Sequence, residues 1–359
     1  MDTNGPKLTR KTILLPFVGL VAFFLYILIF NVDILEIIAT AQTANPIFYS
    51  AAILMGFAEI FFYAISWRAI LNALKVKISV TRSFLYVWYG IFMDIIIPAE
   101  SISGEICRIY LVNREQCGTS GKTVASVITQ RILGMGINVA VLLLGIIFLF
   151  DTASIDPLIF NLLVIFTAAI TIILCLLLVI SWKENWSTKI INSLIRIGEF
   201  ITRGRWKQKF EALKEETVKA AKMFHDAMKE FGRKPQMLVL PTVLLVLNWI
   251  ASLAIPYLVF LSLGFPVSWT VIFITSSIVV AVKSIPIGIP FEVGLPEATM
   301  TTLYISFLGP DLAGLCVTST ILSRLITLWL RVGVGFAAQQ WVELKPVLTP
   351  KNGVPAEKA

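Results

Sequence analysis

Ser284-Ile285-Pro286-Ile287-Gly288-Ile289-Pro290-Phe291-Glu292-Val293-Gly294-Leu295-Pro296-Glu297 is the stretch on which the reading of the chain turns. Three prolines and two glycines within residues 286–296 forbid a regular helix, because each proline removes an amide donor and its ring clashes with the preceding turn. The residues between them are too apolar for an ordinary surface loop. Upstream lies a short apolar run, Val267 to Val282, ending at Lys283. Thr301 to Leu308 follows as an outgoing arm or short span, and Gly309-Pro310-Asp311 reads as a turn. A broken apolar segment carrying Glu292 and Glu297 reads as re-entrant chain. Such backbone is tolerated at bilayer depth only where protein buries it or it lines a wet cavity.

Its surroundings make the membrane reading general. Of 359 residues, 57% are hydrophobic and 14% charged, with mean hydropathy +0.84, against about 25% charged residues in a soluble domain. Apolar runs cover Ile13 to Phe30, Pro46 to Ile70, Thr123 to Phe150, Leu158 to Trp182, Met237 to Leu263 and Leu312 to Phe336. Without strand-like alternation these spans are helices, since each segment must satisfy its own backbone in lipid. The run Ile13 to Phe30 is long for a signal sequence and reads as a retained first helix. The expected fold is an all-α polytopic membrane protein of about seven or eight transmembrane helices, with two re-entrant or broken segments and an internal repeat.

The second broken piece lies in the first half. Phe84 to Ile97 is too short to span, ends at Pro98, and runs into Ala99-Glu100-Ser101-Ile102-Ser103-Gly104-Glu105 and then the basic Arg108, Arg114 and Lys122. Each broken piece precedes a long helix with an arginine near its middle, Gln130-Arg131 in one half and Ser323-Arg324 in the other. Glu100 to Arg131 spans 31 positions and Glu292 to Arg324 spans 32. Paired interrupted segments of this kind are the sequence pointer to a transporter site near the midplane.

The net charge of +8 would suggest nucleic acid in a soluble protein, but its distribution follows the membrane. Lys7, Arg10 and Lys11 precede the first span, Lys75, Lys77 and Arg82 follow the second, and residues 183–234 hold 13 basic against 7 acidic residues. Segment 31–46 and the turn near Asp151 and Asp156 have no Lys or Arg. The positive-inside pattern places the N-terminus and central loop in the cytoplasm of a multi-pass cell-membrane protein. Lys345, Lys351 and Lys358 against Glu343 and Glu357 do not assign a side to the tail. The expected organisation is one domain over 10–342, with halves 46–182 and 237–342, an amphipathic linker 183–234, and a flexible tail 343–359. In the linker, Trp206, Phe210, Leu213, Val218, Ala221, Phe224, Met228 and Phe231 form an apolar stripe at helical spacing. That helix either lies among lipid headgroups or closes the cytoplasmic side of the bundle.

Charges inside spans are functional candidates by default. Glu100, Glu105, Arg131, Glu292, Glu297 and Arg324 are the expected substrate-binding residues: helix termini and arginines for a phosphate, carboxylates for a cationic headgroup. Glu59 and Asp94 are further candidates. The competing reading is that these charges satisfy one another as ion pairs that stitch helices together. Arg331 is expected to snorkel from a helix end, and Asn248 to bond between helices. Four cysteines without CxxC spacing and one histidine point to free thiols and no metal centre. The GKT ending of Gly118-Thr119-Ser120-Gly121-Lys122-Thr123 lacks the first glycine of a phosphate loop and reads as a turn and helix cap. No catalytic residues and no cofactor are expected. The reading is a carrier rather than an enzyme, driven by gradients or lipid asymmetry unless a partner supplies energy. Transport of a small anionic solute, or a membrane enzyme or its noncatalytic partner, are the alternatives.

Pro98-Ala-Glu-Ser-Ile-Ser-Gly-Glu-Ile-Cys-Arg with Gln130-Arg131, and Pro286-Ile-Gly-Ile-Pro-Phe-Glu with Ser323-Arg324, resemble the flippase-like, or lysylphosphatidylglycerol synthase transmembrane, family over roughly residues 10–342. Gly104-Glu105 matches the family's first motif, whereas its proline-glycine-glycine turn is replaced by Pro286-Ile-Gly-Ile-Pro. The resemblance implies movement of polar-headgroup lipids between leaflets, with Glu105, Arg108, Arg131, Glu292 and Arg324 as the positions carried over. It implies membrane phospholipid as partner and a separately encoded lipid-modifying enzyme as a further one, since no synthase domain is attached. Self-association is left open.

Overall fold

The structure is a computed structural model that describes residues 34–97, 102–116, 119–150, 157–182, 221–283 and 294–348. The expected first span, Glu100, Glu292 and most of the linker lie outside these residues. The described chain is helical: α1 (Ile34–Gln42), α2 (Pro46–Ala73), α3 (Val80–Ile96), α4 (Ile102–Glu115), α5 (Ser120–Phe150) and α6 (Pro157–Trp182). Then come α7 (221–233), α8 (Val239–Ser262), α9 (Trp269–Lys283), α10 (Leu295–Leu308), α11 (Ala313–Arg324), a π-helical segment (Leu325–Leu330) and α12 (Arg331–Leu348). Four helical stretches, Pro46–Ala73, Ser120–Ile147, Pro235–Ser262 and Pro310–Glu343, are long and apolar enough to cross a membrane. Leu143, Ile147, Ile165, Ile172, Leu176, Val243 and Ile250 are exposed along α5, α6 and α8, as a hydrocarbon solvent permits. The chain is an all-α, multi-pass membrane protein.

The axis of the bundle is the antiparallel pair α2 and α8. Asn45, which caps the start of α2, donates its N–H to the Ser262 carbonyl at the end of α8 (2.7 Å). Near their opposite ends Ser66 Oγ donates to the Pro241 carbonyl (3.0 Å). Midway, Asn248 Nδ2 donates to the Glu59 carbonyl (2.8 Å), the interhelical bond expected of it. α7 closes one end: Phe224, Met228 and Phe231 pack on Ile70, Leu74 and Ala125. This part of the amphipathic stripe therefore faces protein rather than headgroups.

Two pairs of short helices hang from this axis. At 1.5 Å per residue α3 is about 25 Å long and α4, α9 and α10 about 21–22 Å, each short of a core of about 30 Å. α3 leaves the C-terminal end of α2 and packs on α4, and α9 leaves the C-terminal end of α8 and packs on α10. Because α2 and α8 run in opposite directions, the two pairs start from opposite ends of the bundle. The α3–α4 crossing is close: an added Cβ at Gly104 would lie 2.4 Å from the Gly90 carbonyl oxygen.

Two boundaries and one internal segment differ from expectation. α10 begins at Leu295 rather than near Thr301, because Pro296 sits in the first turn, where its missing N–H costs nothing. The final helix runs on to Leu348, so residues 343–348 are helix rather than tail, and Glu343 pairs with Arg114 (3.2 Å). The π segment was not anticipated. It offsets the following turns by about one residue, or 100°.

Candidate functional site

Each half builds the same element from the backbone upward. In each half a short helix opens with a first turn whose unpaired amides and dipole favour negative charge. A glutamate stands in that turn, Glu105 in α4 and Glu297 in α10. The long helix that follows carries the arginine that meets it. Arg131 Nη1 is 3.0 Å from Glu105 Oε2, and Arg324 Nε is 2.6 Å from Glu297 Oε1. All four residues are among the sequence candidates, but the repeat spacing in the sequence runs from Glu100 and Glu292. The described pairs use the later glutamates.

The two centres differ in their surroundings. In the second, Glu297 Oε2 also accepts the Gly294 N–H (2.7 Å), the return bond of a capping box. Gly294 has φ +99°, a left-handed conformation that glycine adopts without strain from a Cβ. The Arg324 and Glu297 side chains are 6% and 3% exposed, so this pair is closed. In the first, Arg131 and Glu105 are 33% and 16% exposed, leaving the guanidinium accessible. The cap of α4 comes from another helix: Asp94 Oδ1 on α3 accepts the Gly104 N–H (2.6 Å) and the Ser103 hydroxyl (2.8 Å). Asp94 is thus a capping residue here, holding the turn that carries Glu105.

Arg108, one turn past Glu105, is buried between α2, α4 and α5. Its Nη1 donates to Gln130 Oε1 (2.9 Å), and its guanidinium stands 5.1 Å from the Trp67 ring centroid and 5.3 Å from that of Tyr63. Gln130 Nε2 in turn donates to the Tyr63 carbonyl (2.9 Å). Aromatic faces and a neutral acceptor thus hold this cation behind the Arg131 centre.

Arg331 corrects the sequence reading. It does not snorkel from a helix end, because the helix continues to Leu348; it forms an ion pair with Glu59 on α2. Residues 324 and 331 are seven apart and share a face of a regular α-helix. The π segment separates them, so that Arg324 meets α10 and Arg331 meets α2. The sequence signal that was available is Glu59, an acid within a long apolar span. The pair is expected to be coupled: Glu59→Gln and Arg331→Gln, alone and together, should show non-additivity of about 0.5–3 kcal/mol in thermal or steric-trapping stability measurements. Additive costs would mean that the two side chains act independently.

Comparison with known proteins places these motifs in a family. The model of the lysylphosphatidylglycerol synthase TM region matches residues 14–335. A UPF0104 membrane protein of Pyrococcus horikoshii is 25% identical over 310 residues, covering 86% of this chain and 91% of the relative. UPF0104 membrane proteins of Methanothermobacter thermautotrophicus and Methanocaldococcus jannaschii are 23% and 24% identical, each over 92% of this chain and 95% of the relative. With both glutamate-bearing turns and both arginine helices inside the matched region, the chain belongs to the lysylphosphatidylglycerol synthase transmembrane family.

Proposed function

We propose that this protein moves phospholipids with polar headgroups between the leaflets of the cell membrane through a charged intramembrane groove. The observation that carries this reading is the twofold occurrence of one device, a glutamate in the first turn of a short helix bound to an arginine of a long helix. In this reading α3–α4 and α9–α10 are re-entrant pairs that enter the bilayer from opposite sides. Their opposite origins on α2 and α8 support an inverted repeat, the arrangement in which carrier sites form between the halves. The family name refers to a lipid synthase's membrane region, which supports a lipid substrate.

An arginine released from its glutamate offers paired donors to a phosphate, and the freed carboxylate meets a cationic group. Acyl chains stay in lipid while the headgroup passes. Lys75, Lys77, Lys122, Arg233 and Lys234 lie near the bundle end closed by α7, which supports a cytoplasmic assignment for that end, the linker and the N-terminus. A separately encoded lipid-modifying enzyme is the natural supplier of the substrate.

The test is reconstitution in vesicles with headgroup-labelled phospholipids. Arg131→Ala is expected to slow translocation about tenfold or more, the worth of one charge-assisted hydrogen bond. Unchanged translocation in folded Arg131→Ala protein would remove Arg131 from the mechanism. Uptake of a free anion with no lipid movement would replace the lipid with a soluble substrate.

A further inference from the structure

The middle of α5 is more open than the turns on either side of it. Arg131, Gly134 and Asn138 share one face at spacings of three and four, and each is half-buried. Along the same face the helix closes again in both directions, at Val127 (2% exposed) and at Leu142 (1%). Lipid meets a different face of α5, marked by the exposed Leu143 and Ile147. At about 100° per residue these two stand about 140° and 180° round the helix from Asn138. The accessibility of Arg131 and Asn138 therefore belongs to an opening among the helices and not to the lipid-facing side. Arg131 meets Glu105 of α4 at this opening, and beyond it Leu142 packs with Ile278 of α9 and Leu303 of α10. There is room between them, since no atom lies within 4 Å of a Cβ placed on Gly134.

Asn138 has no structural employment in this arrangement. An asparagine in an apolar span ordinarily bonds to a neighbouring helix, as Asn248 does through the Glu59 carbonyl. Asn138 has no hydrogen-bond partner among the described residues, although its amide carries two donors and an acceptor. It is also reachable, being half-buried rather than sealed. Its chemistry is that of a neutral hydrogen-bonding group two turns from an arginine. An ammonium group finds no acid on this helix, because α5 contains no Asp or Glu. A hydroxyl, which both donates and accepts, matches the amide.

We infer that Asn138 selects lipids with hydroxylated headgroups, by hydrogen-bonding the alcohol of a phosphodiester held at Arg131. This rests on the lipid-carrier reading and names its substrate class. Arg131 presents the phosphate site while bonded to Glu105, with 33% of its side chain exposed. Residues 131 and 138 are separated by about 10.5 Å along the helix axis. A hydrogen bond at each end covers about 3 Å, and a phosphodiester with a three-carbon polyol fills the remainder. A site that bonds a substrate hydroxyl discriminates against the analogue lacking it, because its own polar group is then left unpaired.

The test compares two lipids of equal charge, acyl-labelled phosphatidylglycerol and phosphatidylpropanol, which differ only in the headgroup hydroxyls. In proteoliposomes the unaltered protein is expected to move the glycerol lipid about tenfold faster, the worth of one or two neutral hydrogen bonds. Asn138→Leu is expected to bring the two rates within about twofold, and Asn138→Gln, which keeps the amide, to retain the preference. Arg131→Ala should slow both lipids while preserving their ratio. Equal rates in the unaltered protein, or a preference that survives in Asn138→Leu, would overturn the inference and leave the carrier reading standing. Loss of the preference in both Asn138 variants would make the position structural. Binding of the same lipids to the detergent-solubilised protein, followed by native mass spectrometry, reads the selection without transport. A glycerol-lipid preference there that depends on Asn138, with no lipid movement in vesicles, would keep the selection and remove the carrier reading. Equal binding would overturn the inference at any transport rate.

Discussion

Replacing Arg324 with alanine is expected to destabilise the protein by about 3–5 kcal/mol, the cost of leaving a buried carboxylate without its cation. Glu297 is 3% exposed, so water cannot take over the role of the guanidinium 2.6 Å away. The damage spreads, because Glu297 also holds the Gly294 N–H and thus the start of α10. Thermal unfolding in detergent measures the loss, with Arg82→Ala as control. Arg82 pairs with Glu115 at 2.8 Å but is 51% exposed, and surface pairs contribute only about 0–1 kcal/mol. Glu297→Gln/Arg324→Met should recover much of the loss, since no charge is then stranded. Equal melting points for Arg324→Ala and Arg82→Ala would show that the second centre is wetter than its burial indicates.

Gly104→Ala is expected to break the α3–α4 crossing. The new Cβ would lie 2.3 Å from Asp94 Oδ2 and 2.4 Å from the Gly90 carbonyl oxygen. A flexible side chain could move aside, but a helical carbonyl cannot do so without moving its helix. Overpacking in a closely fitted interior costs about 1–3 kcal/mol and occasionally more, and here it also displaces the Asp94 cap and the turn that presents Glu105. In the proposed lipid-carrier role, translocation and stability should therefore fall together. Gly134→Ala and Gly136→Ala are the matched controls, because nothing lies within 4 Å of a Cβ at either site. Alanine there should be neutral or stabilising by up to about 1 kcal/mol through helix propensity. If Gly104→Ala behaves like these two, the crossing is looser than drawn and Asp94 does not depend on it.

Much of the site was legible because lipid makes charge conspicuous. Glu105, Arg131, Glu297 and Arg324 stand out in apolar surroundings, and the similar spacing of Glu100 to Arg131 and Glu292 to Arg324 points to a repeated device. Partner choice was less legible. Helical period places residues on faces without saying which helix covers a face, so neither the pairing of Arg331 with Glu59 nor the capping of α4 by Asp94 can be read from it.

By itself the sequence determined the solvent, the helical class and the weak points. Hydropathy, run length and proline are local properties, and lipid leaves a buried backbone few alternatives to helix. Tertiary structure alone decided the rest. The antiparallel union of α2 with α8 sends the two short-helix pairs in from opposite ends, and a single π turn directs Arg324 and Arg331 to different partners. The first arises from bonds between residues 175 and 189 positions apart, and the second takes Arg331 to a partner 272 positions away. No window of sequence contains that information, because the energy that selects it arises only when distant surfaces meet.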